Sequence, residues 1–240
     1  LEAELGLIEL CITMAYDAKM NFEDVYSPVK TWDCLIYNDL IRQNIIIDQN
    51  VDSVPRSIEG AYVQAPIPGP YKWVESFDAT SLYPSIIMQY NMSPETIIDG
   101  TAYDVTVEGL LNNEYTFDPS HAVAGNGQAF SREKRGIFPR IVQKFFDDRQ
   151  RYKNLMFEAK AEYKKTGDPK TKQLISKYNN FQMARKIQLN SLYGAMANEY
   201  FRYYDDRIAE GITLAGQFII RRTANALDEY LNHILQTENE

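Results

Sequence analysis

Asp78 stands where a carboxylate can do chemistry with its neighbours. The run Tyr71-Lys-Trp-Val-Glu-Ser-Phe-Asp78 has the pattern of a strand, with Tyr71, Trp73 and Phe77 on one face. It predicts that Asp78 sits at the strand's C-terminal end. A tight Ala79-Thr80-Ser81 turn follows, then Leu82-Tyr83-Pro84 and the apolar Ile86, Ile87 and Met88. Pro84 suits the start of a helix, where its missing N–H would have no intrahelical partner anyway. Strand, carboxylate, turn and helix N-terminus can together hold a divalent cation beside backbone N–H groups that suit phosphate oxygens. The same arrangement equally serves an aspartate that only satisfies turn amides.

A second set of candidates is cationic. Arg149, Lys153 and Lys186, with Asn190, depend on two long helices to bring them together. From Pro139 to Thr166 an apolar stripe of Ile141, Val142, Phe145, Phe146, Tyr152, Leu155 and Met156 predicts the first helix, which Gly167 ends. Asp168 suits an N-cap and Pro169 the first turn of the second helix, which runs to about Ala197. A short turn between them makes an antiparallel hairpin. Folded at that turn, Arg149 faces Lys186, with Lys153 one turn from the former and Asn190 one turn from the latter. Lys186, Asn190 and Tyr193 share a face at i, i+4 and i+7. Cations gathered in this way repel unless an anion visits, and a triphosphate is the matching anion. The bland alternative is three unrelated surface residues.

Charge points the same way. Ser131 to Arg202 carries 17 Lys+Arg against 7 Asp+Glu, whereas the whole chain has a net charge of −8. A basic segment in an acidic body is a footprint for local phosphate binding, though a solvated pair of charged helices has one too. With 240 residues and 45% hydrophobic content the chain can bury a substantial core. No apolar run is long enough to cross a bilayer, and the acidic N-terminus does not read as a signal peptide. Cys11 and Cys34 lack zinc-site spacing and read as buried thiols.

The remaining elements frame these candidates. Leu1 to Lys19 and Thr31 to Gln43 read as helices, with Ser27-Pro28 breaking the pattern between them. Asp48 to Pro70 reads as a linker rich in proline and glycine. Asn126-Gly127 signals a hairpin between Ala122-Val-Ala and Gln128-Ala-Phe-Ser. Asp205-Asp206 suits either a metal or the N-terminus of a helix over Ile208 to Leu235, with capping favoured. That helix, through Ile212, Ala215, Ile219, Ala226 and Leu227, is expected to pack on a sheet.

The stretch SFDATSLYPSII, Ser76 to Ile87, resembles the first palm motif of the family B DNA polymerases. Lys186-Ile-Gln-Leu-Asn190-Ser-Leu-Tyr193-Gly194 matches that family's lysine–asparagine–tyrosine–glycine helix. The surrounding KTWDCLIYN and FRYYD are most similar to replicative enzymes of T-even-type bacteriophages and their cyanophage relatives, and the similarity runs along nearly the whole chain. The resemblance implies an α+β fold with an incomplete palm, its mixed or antiparallel sheet carrying helices, and fingers made of an antiparallel helical hairpin. Residues 1–49 would be a remnant of the exonuclease and N-terminal linking region and 50–135 the first part of the palm. Residues 136–198 would be the fingers and 199–240 the second part of the palm.

The implied function is that of a DNA-directed DNA polymerase, adding deoxynucleotides to a primer 3′ end by two-metal phosphoryl transfer. Asp78 would be catalytic and bind two Mg2+ ions, one of them also held by the Ala79 carbonyl. Ser81 and Leu82 would offer amides to phosphate oxygens, and Tyr83 would lie under the deoxyribose and exclude a 2′-hydroxyl. Arg149, Lys153 and Lys186 would grip the triphosphate beside Asn190, and Tyr193 and Gly194 would lie against the nascent base pair. Implied partners are primer–template DNA, a dNTP, a C-terminal palm–thumb polypeptide and a sliding clamp, with no membrane. The implied setting is the cytoplasm of an infected bacterial host. The family's second palm motif, with the other aspartate, does not occur before Glu240, and the hairpin is shorter than in the T-even enzymes. The expectation is a piece of a longer or split polymerase, inactive by itself. The alternative is a non-catalytic nucleotide- or DNA-binding subunit.

Overall fold

The computed structural model describes residues 6–46, 57–72 and 74–237. The helices are α1 (Leu7–Ala18), α2 (Pro28–Arg42), α3 (Leu82–Tyr90), α4 (Val107–Leu111), α5 (Ile137–Thr166), α6 (Pro169–Met196) and α7 (Asp206–Thr237). The strands are β1 (Ile97–Ala102), β2 (His121–Val123) and β3 (Gln128–Ser131). They fall into two compact units, Leu1–Pro55 with Gly136–Asp205, and Arg56–Arg135 with Asp206–Glu240.

The first unit is all helical. Ser27-Pro28 separates the two helices as expected, and it does so by starting the second: the Ser27 hydroxyl accepts the Lys30 N–H at 3.3 Å, and Pro28 takes the first helical position. That moves the start of α2 three residues ahead of Thr31. The long pair α5 and α6 turns as its sequence dictates. Gly167 adopts φ 65°, which favours glycine, and its N–H returns to the Tyr163 carbonyl at 2.9 Å. Asp168 then caps α6 by accepting the Lys170 N–H at 3.1 Å.

Asp148 meets Arg185 across the pair, and the Tyr152 and Phe181 rings lie 5.0 Å apart. The register is therefore two residues from the one that sets Arg149 directly opposite Lys186. Trp32 knots α2 to this pair. It is fully buried, its Nε1–H donates to the Gln188 carbonyl at 3.0 Å, and its ring lies 5.7 Å from that of Phe145. Burying an indole of this size requires a partner for its N–H, and α6 supplies one. Cys11 and Cys34 are half-buried rather than fully buried, because each sits at the edge of its helix's buried stripe.

The second unit holds a three-stranded antiparallel sheet in the order β1-β3-β2. The expected hairpin is present, with Ala122 paired to Phe130 and Gly127 at φ 81° in the turn. The first strand of the sheet, β1, has no counterpart in the sequence reading. Helix α7 packs against α3, α4 and β3. Ile208, Ala209, Ile212 and Ala215 are buried in that contact. Its C-terminal half is not covered as expected: Ala226 is exposed and Leu227 half-buried, because α4 ends the packed surface near Arg221.

The strand expected over Tyr71 to Asp78 does not form. The described residues there are irregular, and Tyr71, Val74 and Phe77 are 62%, 77% and 64% exposed; Trp73 lies outside the described residues. A strand needs a partner for its backbone groups, and no described strand pairs with this one. The segment before it, 57–70, is irregular as expected of a linker, and the part of the linker before residue 57 lies outside the described residues. It is nonetheless fastened to α7: Thr213 Oγ1 donates to the Glu59 carbonyl at 2.6 Å and Gln217 Nε2 to the Gly60 carbonyl at 2.8 Å.

Candidate metal and nucleotide residues

Asp78 lies in irregular, exposed chain, one turn ahead of α3. Ser81, the residue before α3, has φ 54° and ψ 49°, a left-handed conformation that a serine adopts only at a cost. Its side chain makes no capping hydrogen bond. An N-cap serine ordinarily sits in the extended region and satisfies an amide of the first turn, so α3 is built without its usual cap. The first i→i−4 bond of the helix runs from the Ser85 N–H to the Ser81 carbonyl at 2.9 Å. Pro84, ahead of it, contributes no N–H. The Leu82 amide therefore has no intrahelical carbonyl, and the positive end of the helix dipole follows Asp78 by only a few residues.

Tyr83 is half-buried on α3, with its ring turned toward Gly216 of α7. Burial pushes its phenol above the ordinary value. Pro84, Ile86 and Ile87 anchor the same helix in the core. The ring is thus held from below by the fold while one side stays accessible.

In the other unit, Arg149 and Lys186 each follow a member of the Asp148–Arg185 contact by one residue. Successive residues on two antiparallel right-handed helices turn toward the same side of the pair. Both cations therefore lie on one side of the hairpin. Lys153, Lys186 and Asn190 are exposed, and Arg149 is half-buried with its Nε buried and without a protein acceptor. An unsatisfied buried donor costs about 1–3 kcal/mol, which an anionic ligand or a shift of the side chain would recover. Lys153 Nζ lies 5.9 Å from the Phe157 ring centre. Tyr193 is half-buried, and Gly194 is exposed with open space where a Cβ would be.

Sequence reasoning missed the clamp that fixes this face. The Arg185 guanidinium sits 4.6 Å from the Phe145 ring centre, pairs with Asp17 of α1, approaches Asp148 Oδ2 at 3.5 Å, and donates to Gln188 Oε1 at 2.9 Å. The signal available was an arginine flanked by Ala184 and Leu189 on the buried side of α6. Of the acidic pair Asp205-Asp206, Asp206 is the first residue of α7, where the dipole favours a carboxylate. Among the described residues no group of three or more His, Cys, Asp or Glu is placed to hold a metal. No described helix is long and apolar enough to cross a membrane.

A motif pairing an aspartate turn with a lysine–asparagine–tyrosine–glycine helix defines a class, and whole-chain comparison agrees. The model of DNA polymerase family B matches residues 26–240, and the chain belongs to that family. It is 35% identical to the DNA-directed DNA polymerase of Enterobacteria phage T4, over 98% of this chain and 31% of that protein. The corresponding figures for the Escherichia phage RB69 enzyme are 34%, 100% and 31%. The chain therefore spans about a third of the length of these relatives. Its fold is similar to that of the family B DNA polymerase from Pyrobaculum calidifontis. The TM-score is 0.65 at 22% identity, over 93% of this chain and 27% of that one.

Proposed function

We propose that the chain supplies the metal- and nucleotide-binding residues of a DNA-directed DNA polymerase that extends a primer with deoxynucleotides. The observation that carries this reading is the uncapped N-terminus of α3, with Ser81 in a left-handed conformation directly after an exposed Asp78, in a family B chain. Strained backbone that exposes amides beside a carboxylate has a use when a phosphate and its cation bind there.

Mg2+ takes one or two carboxylates, retains water and completes its shell with substrate phosphates. The accessible Asp78 carboxylate and the Ala79 carbonyl fit that donor set. Bound there, Mg2+ would stabilise charge on the entering and leaving oxygens of an in-line phosphoryl transfer. The residues of the chain do the remaining work. The Ser81 and Leu82 amides orient phosphate oxygens. Arg149, Lys153 and Lys186 offset triphosphate charge, with Asn190 beside them. Tyr83 faces the sugar, and the open side of Gly194 with Tyr193 faces the nascent base pair. Primer–template DNA is the macromolecular partner, and the phage relatives suggest the cytoplasm of an infected bacterial host as the setting.

The test is single-nucleotide incorporation by the polymerase that contains this chain, wild type against Asp78→Ala. Asp78 lies outside the core, so the variant keeps its circular dichroism and urea midpoint while incorporation is lost. Activity within about tenfold of wild type, a barrier change of about 1.4 kcal/mol, would overturn the metal assignment.

A further inference from the structure

We propose that Gly216 of α7 sets the position of the Tyr83 ring, and through it the discrimination between deoxyribose and ribose. The inference rests on the reading of Tyr83 as the residue that faces the sugar. It comes from one close approach within the second unit. A Cβ added at Gly216 would stand 3.1 Å from Tyr83 Cε1, while the next contacts, Ile86 Cδ1 and Tyr83 Cδ1, lie at 3.7 and 3.8 Å. Only the ring is too close for an ordinary contact.

A glycine inside a helix weakens it relative to alanine, so its presence asks for a packing reason. Gly216 is buried in the half of α7 that packs against α3, and its φ lies outside the left-handed region. No backbone requirement explains it. The Tyr83 ring does, because only a residue without a Cβ lets the ring settle directly on the backbone of α7. Ile86, fully buried on the same helix as the ring, already fills the space beside Gly216, its Cδ1 3.7 Å from a Cβ placed there. Any side chain at 216 therefore drives the ring toward its accessible side, where the sugar is read to lie. Gly216 is a positioning residue; Tyr83 is the one that touches the nucleotide.

The magnitude follows from the geometry. A methyl at 216 displaces the ring by about 0.3 Å, the shortfall from an ordinary contact of 3.4 Å. A misplacement of 1 Å costs up to about a hundredfold, so 0.3 Å corresponds to about fourfold. Gly216→Ala should lower kcat/KM for dATP by about fourfold, chiefly through KM, and lower it further for ATP, so that the preference for dATP rises; an unchanged preference overturns the inference.

Four enzymes are measured for dATP and ATP incorporation: wild type, Gly216→Ala, Tyr83→Ala and the double variant. The expected result is that Tyr83→Ala raises ATP use relative to dATP, and that Gly216→Ala has no effect once the ring is gone. An equal loss from Gly216→Ala with and without the ring overturns the inference, since the glycine would then act on the helix alone. No effect of Gly216→Ala in the wild-type background overturns it as well. If Tyr83→Ala leaves sugar discrimination unchanged, the reading of Tyr83 fails instead. A second readout uses the same polymerase with 3-fluorotyrosine at position 83. Gly216→Ala should shift its 19F resonance and lower its titration midpoint toward that of an exposed fluorotyrosine, as the ring becomes more solvated. An unchanged resonance and midpoint in a folded variant would show that the ring does not rest on Gly216.

Discussion

Replacing Arg185 with leucine removes the cation at the base of the helical hairpin while keeping most of the apolar stem. The Arg185 side chain is only 11% exposed, and its carboxylate partners Asp17 and Asp148 are 24% and 23% exposed. Loss of the guanidinium leaves two half-buried carboxylates without their shared cation, removes the hydrogen bond to Gln188 Oε1, and takes the cation off the Phe145 ring. Removing one partner of a buried ion pair costs about 3–5 kcal/mol, and the partial exposure of both carboxylates places this case near the lower bound. With a urea dependence of roughly 2 kcal/mol per molar, a loss of about 3 kcal/mol lowers the midpoint by about 1.5 M. Trp32 reports on the right place, because its indole donates to the Gln188 carbonyl. With Trp73→Phe as background it is the sole tryptophan, the chain having two. The control is Asp148→Asn, which leaves Arg185 paired to Asp17 and should cost only about 1 kcal/mol. A midpoint shift for Arg185→Leu no larger than that of Asp148→Asn would refute the clamp.

In the polymerase containing this chain, Lys186→Ala, Arg149→Ala and Lys153→Ala should each raise the KM for dNTP and leave primer–template affinity unchanged. Each loses a charge-assisted contact of about 1.5–3 kcal/mol, roughly ten- to a hundredfold; weaker duplex binding with an unchanged KM would make this face a DNA-backbone surface. Tyr203 gives a pH signature in the first unit. Burial, with a smaller push from the Asp33 carboxylate and partly offset by Arg202, raises its phenol to about 12 from the ordinary 10. The unfolded state ionises first, so this contribution is intact below about pH 10 and is lost as pH rises toward about 12. Tyr203→Phe should reduce the loss of urea midpoint over that window. Because the buried hydroxyl has no protein partner, its removal should cost nothing near neutral pH.

The hairpin of α5 and α6 was legible almost to the residue. Gly167, Asp168 and Pro169 act on their own backbone within a few residues, so their effects survive in any tertiary setting. The Asn126-Gly127 turn was legible for the same reason. The strand at 71–78 was not: alternation of apolar residues describes a segment able to pair, and pairing depends on a partner that pattern alone does not reveal. Helix α7 was read correctly in extent and too generously in burial, because a helix's apolar face says nothing about how far its neighbours reach.

The candidate site divides along the same line. The sequence by itself determined the family, through the two motifs, and the residue types at Asp78, Tyr83, Lys186 and Asn190. Both motifs are carried by individual side chains at short spacing within one segment. Tertiary structure alone decided that Ser81 leaves α3 uncapped in a left-handed conformation. It alone joined Arg185 to Asp17 across 168 positions and brought Gly216 against Tyr83. Such contacts pair residues far apart in the chain, where the choice of neighbour is set by packing of whole elements rather than by local propensity.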